Sequence, residues 1–155
     1  MSLSWFENMA IIKIKGYDIH TVTIRDSYDR RAVQYKNNII ETLKKLDLTE
    51  DDVEITQDVS AFKNAPASAT WYMDGHRLYY SYKIANKYVE NLYIVFKVIE
   101  LEVNALLSGE KTLEEFTSSF SEEDDIEEER KQARITLGVD PDVVDMDVIN
   151  IRINT

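Results

Sequence analysis

The residues best suited to chemistry lie together in a tyrosine-rich stretch, ATWYMDGHRLYYSYK, at residues 69–83. Asp74, His76 and Arg77 are near neighbours there. Because histidine titrates near neutral pH, an adjacent carboxylate and guanidinium could form an acid–base or ligand-binding cluster with it. An Asp-Gly pair is equally what a tight turn requires. An active site needs a nucleophile, a base and a stabilising group together, so one histidine beside one aspartate leads us to predict no catalytic residue.

The same stretch carries aromatic side chains that a hairpin would place on both of its faces. Its aromatic residues are Trp71, Tyr72, Tyr79, Tyr80 and Tyr82. Side chains alternate along a strand, so Tyr80 belongs to one face and Tyr79 to the other. Unless layers cover both faces, one is an exposed aromatic surface of the kind that binds proteins; ordinary sheet packing is the alternative. We predict a partner-binding site formed by Trp71, Tyr72, Asp74, His76, Arg77, Tyr79 and Tyr80.

The remaining polar patterns predict no cofactor and no metal site. Residues 122–129 form an acidic run that lacks the glycine and the alternating oxygen ligands of a calcium loop. We interpret it as the solvated face of a capped helix, which could dock a basic partner. The four glycines are far apart in the sequence, so they do not form a phosphate-binding loop.

Composition limits the classes of function. With 44% hydrophobic and 30% charged residues, the chain has the balance of an ordinary globular protein. The net charge is −11, concentrated in residues 121–147, which disfavours nonspecific nucleic-acid binding and anionic membrane surfaces. There is no cysteine, which excludes disulfides and agrees with a reducing compartment. We therefore predict a cytoplasmic location, with no nucleic-acid partner and no membrane partner.

The element that must position these residues is a long apolar helix at residues 86–108. Val89, Leu92 and Phe96 begin an i, i+3, i+7 spacing that is typical of a buried helical face. Further apolar residues widen that face, so we expect the helix to be buried on several sides. Its polar residues are few and scattered, and we predict a scaffold without a site of its own.

Two hairpins and one further strand are predicted before this helix. In the first hairpin, residues 11–15 and 19–25 flank a turn at residues 16–18, with His20 on the same side as Val22 and Ile24. The second hairpin consists of residues 69–73 and 76–83 around Asp74-Gly75, and the single strand covers residues 53–59.

Helices complete the predicted fold. Asp26 or Ser27 caps a helix that ends near Leu46, and its inner stripe is Ala32, Ile39, Ile40, Leu43 and Leu46. A capping box from Thr112 to Glu115 opens a short helix with Phe116 and Phe120 as anchors, and another helix follows at residues 121–137. Hairpins followed by helices predict an α+β fold, with an antiparallel sheet of about five strands packed against the long helix.

The C-terminal residues resemble the start of a J-domain, the module of DnaJ-type co-chaperones. The stretch ARITLGVDPDVVDMDVIN, residues 133–150, has the Leu-Gly-Val end of a first helix, a short Asp/Pro loop and an acidic start to a second helix. The preceding segments APASATWYMDGHRLYYSY, VENLYIVFKVIELEVNALLSGEKTLEEF and FSEEDDIEEERKQAR are similar to the N-terminal region of archaeal J-domain-containing proteins. The resemblance covers residues 53–150 and divides the chain into an α+β domain, 1–132, and a partial J-domain start, 133–155.

The resemblance implies a chaperone-associated domain, with an Hsp70 as the partner of a complete J-domain. This sequence has no His-Pro-Asp loop, residues 151–155 stand in place of a basic second helix, and Arg134 replaces a usual tyrosine. No Hsp70-activating residue is therefore carried over. We predict a non-enzymatic protein-interaction domain of a DnaJ-like co-chaperone, which binds a protein partner or client.

Two alternatives stay open at this point. One is an enzyme or small-molecule-binding protein with its site at the hairpin tip, at Asp74, His76 and Arg77. The other is a structural domain that forms homo-oligomers through its aromatic or long-helix surface.

Overall fold

The computed structural model describes residues 10–56 and 59–121. Its elements in chain order are β1 (Ile11–Ile14), β2 (Tyr17–His20), α1 (Tyr28–Lys44), a 3-10 turn (Glu50–Asp52), β3 (Val53–Ile55), β4 (Ala67–Met73), β5 (His76–Tyr82), α2 (Tyr88–Ser108) and α3 (Leu113–Ser119). The predicted α+β class and five antiparallel strands are confirmed for this part of the chain. The strands are divided between two sheets, β1-β2 and β3-β4-β5, where a single sheet was expected.

Helix α2 is the centre of the fold, as its apolarity predicts. Helix α1 lies along it, while β4 and β5 pack on it from another side. Val89, Leu92 and Val95 are fully buried as a result. The helix ends at Gly109, whose φ of 83° is a left-handed conformation that glycine adopts without steric cost. The predicted helix at residues 86–108 is thus confirmed to within two residues.

Helix α1 forms where it was predicted, but its start and its buried stripe differ in detail. Ser27 occupies the N-cap position, and its side chain makes no capping hydrogen bond. Tyr35 joins the expected apolar stripe, because its ring meets the edge of Tyr93 on α2 at 5.3 Å between centroids. Ile40 and Leu46, expected in that stripe, are only half-buried.

The first hairpin turns earlier than predicted. Lys15 and Gly16 have φ values of 52° and 86°, which is the two-residue turn that suits the twist of paired strands. Strand β2 therefore begins at Tyr17 and ends at His20. Because side chains alternate, the shift brings Ile19 into the core and leaves His20 exposed. The predicted turn position and the grouping of His20 with the apolar residues were wrong.

The second hairpin agrees closely with its prediction. Asp74 and Gly75 form the turn with φ values of 51° and 74°, and Trp71 pairs with Leu78 across the strands. The small residues Ala67 and Ala69 are fully buried on the face towards α2, so the helix can approach the sheet closely. Strand β3 is shorter than predicted, since it ends at Ile55.

Helix α3 packs against the β3-β4-β5 sheet on the same side as α2. The predicted capping box is confirmed: Glu115 N–H donates to Thr112 Oγ1 at 3.1 Å, and Thr112 N–H donates to Glu115 Oε1 at 3.1 Å. Phe116 and Phe120, the predicted anchors, are fully buried. Tyr79 N–H donates to Phe120 O at 2.8 Å, which fixes the chain after α3 to the edge of β5.

Several predictions concern residues beyond this region. The helix at 121–137, the acidic run at 122–129 and the J-domain-like residues 133–155 lie outside the described residues. Within the ranges 10–56 and 59–121, none of the helices combines the length and apolarity that a bilayer crossing needs.

Candidate functional site

The structure separates the predicted partner-binding residues into a buried group and a surface group. Trp71 and Tyr80 lie on the inner face of β4 and β5, against the helices, and both are buried. The ring of Phe120 meets Trp71 at 4.9 Å and Tyr80 at 6.1 Å between centroids, both edge-on. These two residues belong to the hydrophobic core, so they are not part of an exposed surface in this conformation.

The outer face of the same strands carries the other aromatic residues. Tyr72 pairs with Arg77 across the strands, and Tyr79 pairs with Thr70. Tyr72 is 44% exposed, Arg77 is exposed and Tyr79 is half-buried. The Arg77 guanidinium carbon lies 5.9 Å from the Tyr79 ring centroid, within the range of a cation–π contact. We refer to Tyr72, Arg77 and Tyr79 as the outer-face patch.

Asp74 and His76 flank this patch at the hairpin tip. Both side chains are exposed, and Asp74 has the positive φ of a turn position that aspartate tolerates. The two cavities described below are lined by other residues. Within residues 10–56 and 59–121, neither of these cavities joins Asp74, His76 and Arg77 into an acid–base or ligand-binding cluster.

The better enclosed of the two cavities lies beside the first hairpin and the start of α2. It has a volume of about 220 Å³ and is lined by Ile12, Thr21, Val22, Thr23, Tyr82, Ile84, Ala85, Asn86, Glu90 and Ile94. We refer to it as the Glu90 cavity. Glu90 is 5% exposed, and its Oε2 accepts a hydrogen bond from Ile24 N–H at 2.8 Å and lies 3.7 Å from Lys87 Nζ.

A second buried carboxylate lies further along the same helix. Glu102 is fully buried, and its Oε1 lies 2.6 Å from Lys111 Nζ. Burial alone would raise the pKa of Glu102, but the contact with Lys111 and the neighbouring Tyr17 and Ser119 hold that pKa below its usual value. Burial acts to lower the pKa of Lys111, and Glu102 raises it above its usual value. The pair joins α2 to the loop before α3, beside a second, open cavity lined by Lys111, Glu114, Glu115, Ser118 and Ser119.

Sequence reasoning missed the importance of the polar residues of α2. Asn91 is also fully buried; its side-chain amide donates to Ala65 O at 2.8 Å and accepts from Ala85 N–H at 2.9 Å. Glu90 and Glu102 likewise connect α2 to neighbouring segments. The sequence carried only part of the signal: a charged residue within a helix that is apolar on most sides needs a partner if it is buried, but the sequence does not identify that partner.

Comparisons of the chain with protein-family models, with curated proteins and with solved structures found no match.

Proposed function

We propose that this chain is a non-enzymatic protein-interaction domain, and that it binds extended segments of a partner polypeptide through the outer-face patch. The observation that carries the proposal is the position of Tyr72, Arg77 and Tyr79. They share one face of a sheet whose opposite face is buried against α2 and α3. A rigid sheet holds these side chains in place before a partner arrives, which reduces the entropy lost on binding.

The composition of the patch supports a protein partner. Tyrosine and arginine are enriched among the residues that contribute most to protein–protein binding, because they combine a large apolar area with hydrogen-bonding groups. The contact of Arg77 with the Tyr79 ring limits the freedom of both side chains. An extended segment lying across β4 and β5 would contact Tyr72 and Tyr79 together.

The likeness of residues 53–150 to archaeal J-domain-containing proteins supports a narrower form of the proposal. In this form the chain is part of a DnaJ-like co-chaperone in the cytoplasm, and the partner is an unfolded client. The absence of cysteine agrees with that compartment. The proposal assigns no Hsp70-activating role to the chain, because the sequence contains no His-Pro-Asp loop.

The test measures binding to a permanently unfolded polypeptide, reduced and carboxymethylated α-lactalbumin, by fluorescence anisotropy. We expect Tyr72→Ala to weaken binding by about tenfold or more, the loss that a central contact residue produces. The matched control is Phe62→Ala, since Phe62 is 58% exposed and belongs to the turn before β4 and not to the patch, and this variant should bind like the wild type. Absence of binding by the wild type, or equal loss in both variants, would contradict the proposal.

A further inference from the structure

The outer-face patch lies beside the segment that follows α3. Tyr79 N–H donates to Phe120 O at 2.8 Å, so this segment meets β5 at one of the patch residues. The Lys15 ammonium donates to Ser119 O and lies 5.2 Å from the Phe120 ring centroid. These contacts hold residues 119–120 next to the patch, and the chain continues from there through Ser121.

The residues that come next carry the densest negative charge of the sequence. Seven of the eight residues in the acidic run, 122–129, are aspartate or glutamate. Arg77 is two residues from Tyr79, about 7 Å along the strand. Eight residues span about 12 Å as a helix and more when extended. The acidic run can therefore reach the patch from Ser121 in either conformation.

The surface within reach has the opposite charge. Arg77 shares the outer face with Tyr79, Lys83 comes directly after β5, and both basic residues are exposed. Strand β5 itself contains no acidic residue. On the same outer face, Glu54 lies on β3 and is separated from Tyr79 by Thr70 of β4. Charge complementarity therefore favours the β5 side of the sheet as the place where an acidic segment binds.

We propose that the acidic run binds the outer-face patch of its own chain, with its carboxylates beside Arg77 and Lys83. Arginine suits this role because its guanidinium can donate two parallel hydrogen bonds to one carboxylate. The inference rests on the proposed function, because it makes the run a competitor of the partner segment at the same surface. A segment tethered this closely acts at an effective concentration in the millimolar range, so even weak surface ion pairs reduce the apparent affinity for the partner.

The first experiment detects the intramolecular contact without any partner. It uses the full chain in which the first four acidic residues of the run are neutralised, which we call the neutral-run variant: Glu122→Gln, Glu123→Gln, Asp124→Asn and Asp125→Asn. The matched control neutralises four exposed acidic residues outside the β3-β4-β5 sheet: Asp29→Asn, Glu41→Gln, Asp47→Asn and Glu110→Gln.

Nuclear magnetic resonance compares each variant with the wild type. In the neutral-run variant we expect chemical-shift changes at the backbone amides of residues 77–83 and at the side-chain Nε–H of Arg77. The matched control, which has the same net charge, should leave these signals unchanged. Changes confined to the substituted run and its immediate neighbours would overturn the proposal.

The second experiment measures competition, with unfolded α-lactalbumin as the partner in fluorescence anisotropy. The neutral-run variant should bind about threefold or more tightly than the matched control, and the difference should shrink as salt screens the ion pairs. Adding Arg77→Gln to both variants should remove the difference. Equal affinities of the neutral-run and matched-control variants would overturn the competition. If no form of the chain binds α-lactalbumin, the proposed function fails, and the chemical shifts alone decide whether the run occupies the patch.

Discussion

On the inner face of the β4–β5 hairpin, Trp71 and Tyr80 are packed against Phe120, whereas on the outer face Tyr72 and Tyr79 lie beside Arg77. The two faces are formed by alternate residues of the same two strands. Their aromatic content is similar, yet one is part of the core and the other is a surface. The comparison shows that ring type alone does not decide which aromatic residues are available to a partner.

The neighbours of each ring account for the difference. Ala69 lies opposite Tyr80 on the inner face, and its small side chain leaves room for α2 to cover the neighbouring rings. On the outer face, Tyr72 lies opposite Arg77, whose charge would be costly to bury without a partner. Small residues on one face and a charged residue on the other therefore orient the sheet.

The largest effect is expected on the inner face. Trp71→Ala should lower the free energy of unfolding by about 3–5 kcal/mol, because it leaves a large cavity beside Phe116 and Phe120. Urea denaturation followed by circular dichroism measures this change. Trp71→Phe is the matched control and should cost far less, since within the described residues Trp71 Nε1 has no hydrogen-bond partner to lose. Equal losses in the two variants would mean that ring packing does not dominate.

The next effect concerns the buried ion pair that joins α2 to the loop before α3. Lys111→Met leaves the Glu102 carboxylate buried without a cation, and it should lower the free energy of unfolding by about 3 kcal/mol at neutral pH. In the wild type, the pKa of Glu102 is below its usual value. The stability that Glu102 contributes is therefore fully present above the pKa that its carboxyl has in the unfolded chain. This stability is lost as the pH falls through the lower pKa of the folded state.

The pH dependence gives this second prediction a sharper test. In Lys111→Met the pKa of Glu102 should rise, because burial is no longer opposed by the ammonium. The free energy of unfolding of the variant should then increase as the pH falls from neutral to about 5. Over the same range, the Glu102 carboxyl of the wild type should leave the free energy of unfolding unchanged. Urea unfolding midpoints measured across this pH range test the role of Lys111. If the midpoints of the wild type and the variant depended on pH in the same way, Lys111 would not be the group that lowers the pKa of Glu102.

Much of the fold could be predicted because local patterns determine it. The Asp74-Gly75 turn, the capping box at Thr112 and the stop at Gly109 each depend on a few adjacent residues, and all three are confirmed. The first hairpin was predicted less well, because Lys15 takes a left-handed conformation that is unusual for a residue with a side chain. The earlier and shorter turn there exchanged the faces of Ile19 and His20.

The candidate site was predicted only in part, because burial depends on distant elements. The alternation of Tyr79 and Tyr80 was correct, but the sequence did not indicate which face would meet α2 and α3. Lys87 is an i, i+3 neighbour of Glu90, but the buried positions of Glu90 and Glu102 also depend on Ile24 N–H and on Lys111, which the fold brings to them. Such pairings join residues of different elements, and periodicity within one helix carries no information about them.

Tyr88, the first residue of α2, is buried beneath the end of β3. Burial raises the pKa of Tyr88 to about 12, and its hydroxyl donates to Thr56 O at 2.8 Å. Tyr88→Phe should lower the free energy of unfolding by about 1 kcal/mol at neutral pH. Because the hydroxyl has a higher pKa in the folded state, the stability that Tyr88 contributes is fully present below its unfolded pKa of about 10. This stability is lost as the pH rises from that value towards the folded pKa. The gap between wild type and variant should therefore shrink above that pH.

The smallest effect on stability is expected on the outer face, where the effect on binding should be largest. Tyr72→Ala should change the free energy of unfolding by no more than about 1 kcal/mol, the value of one cross-strand pair, because Tyr72 is 44% exposed and faces away from the helices. Trp71→Ala and Tyr72→Ala, compared for stability, and Trp71→Phe and Tyr72→Ala, compared for binding to unfolded α-lactalbumin, separate the two faces directly. A large loss of stability in Tyr72→Ala would show that the outer face is also part of the core, and the distinction between the two faces would fail.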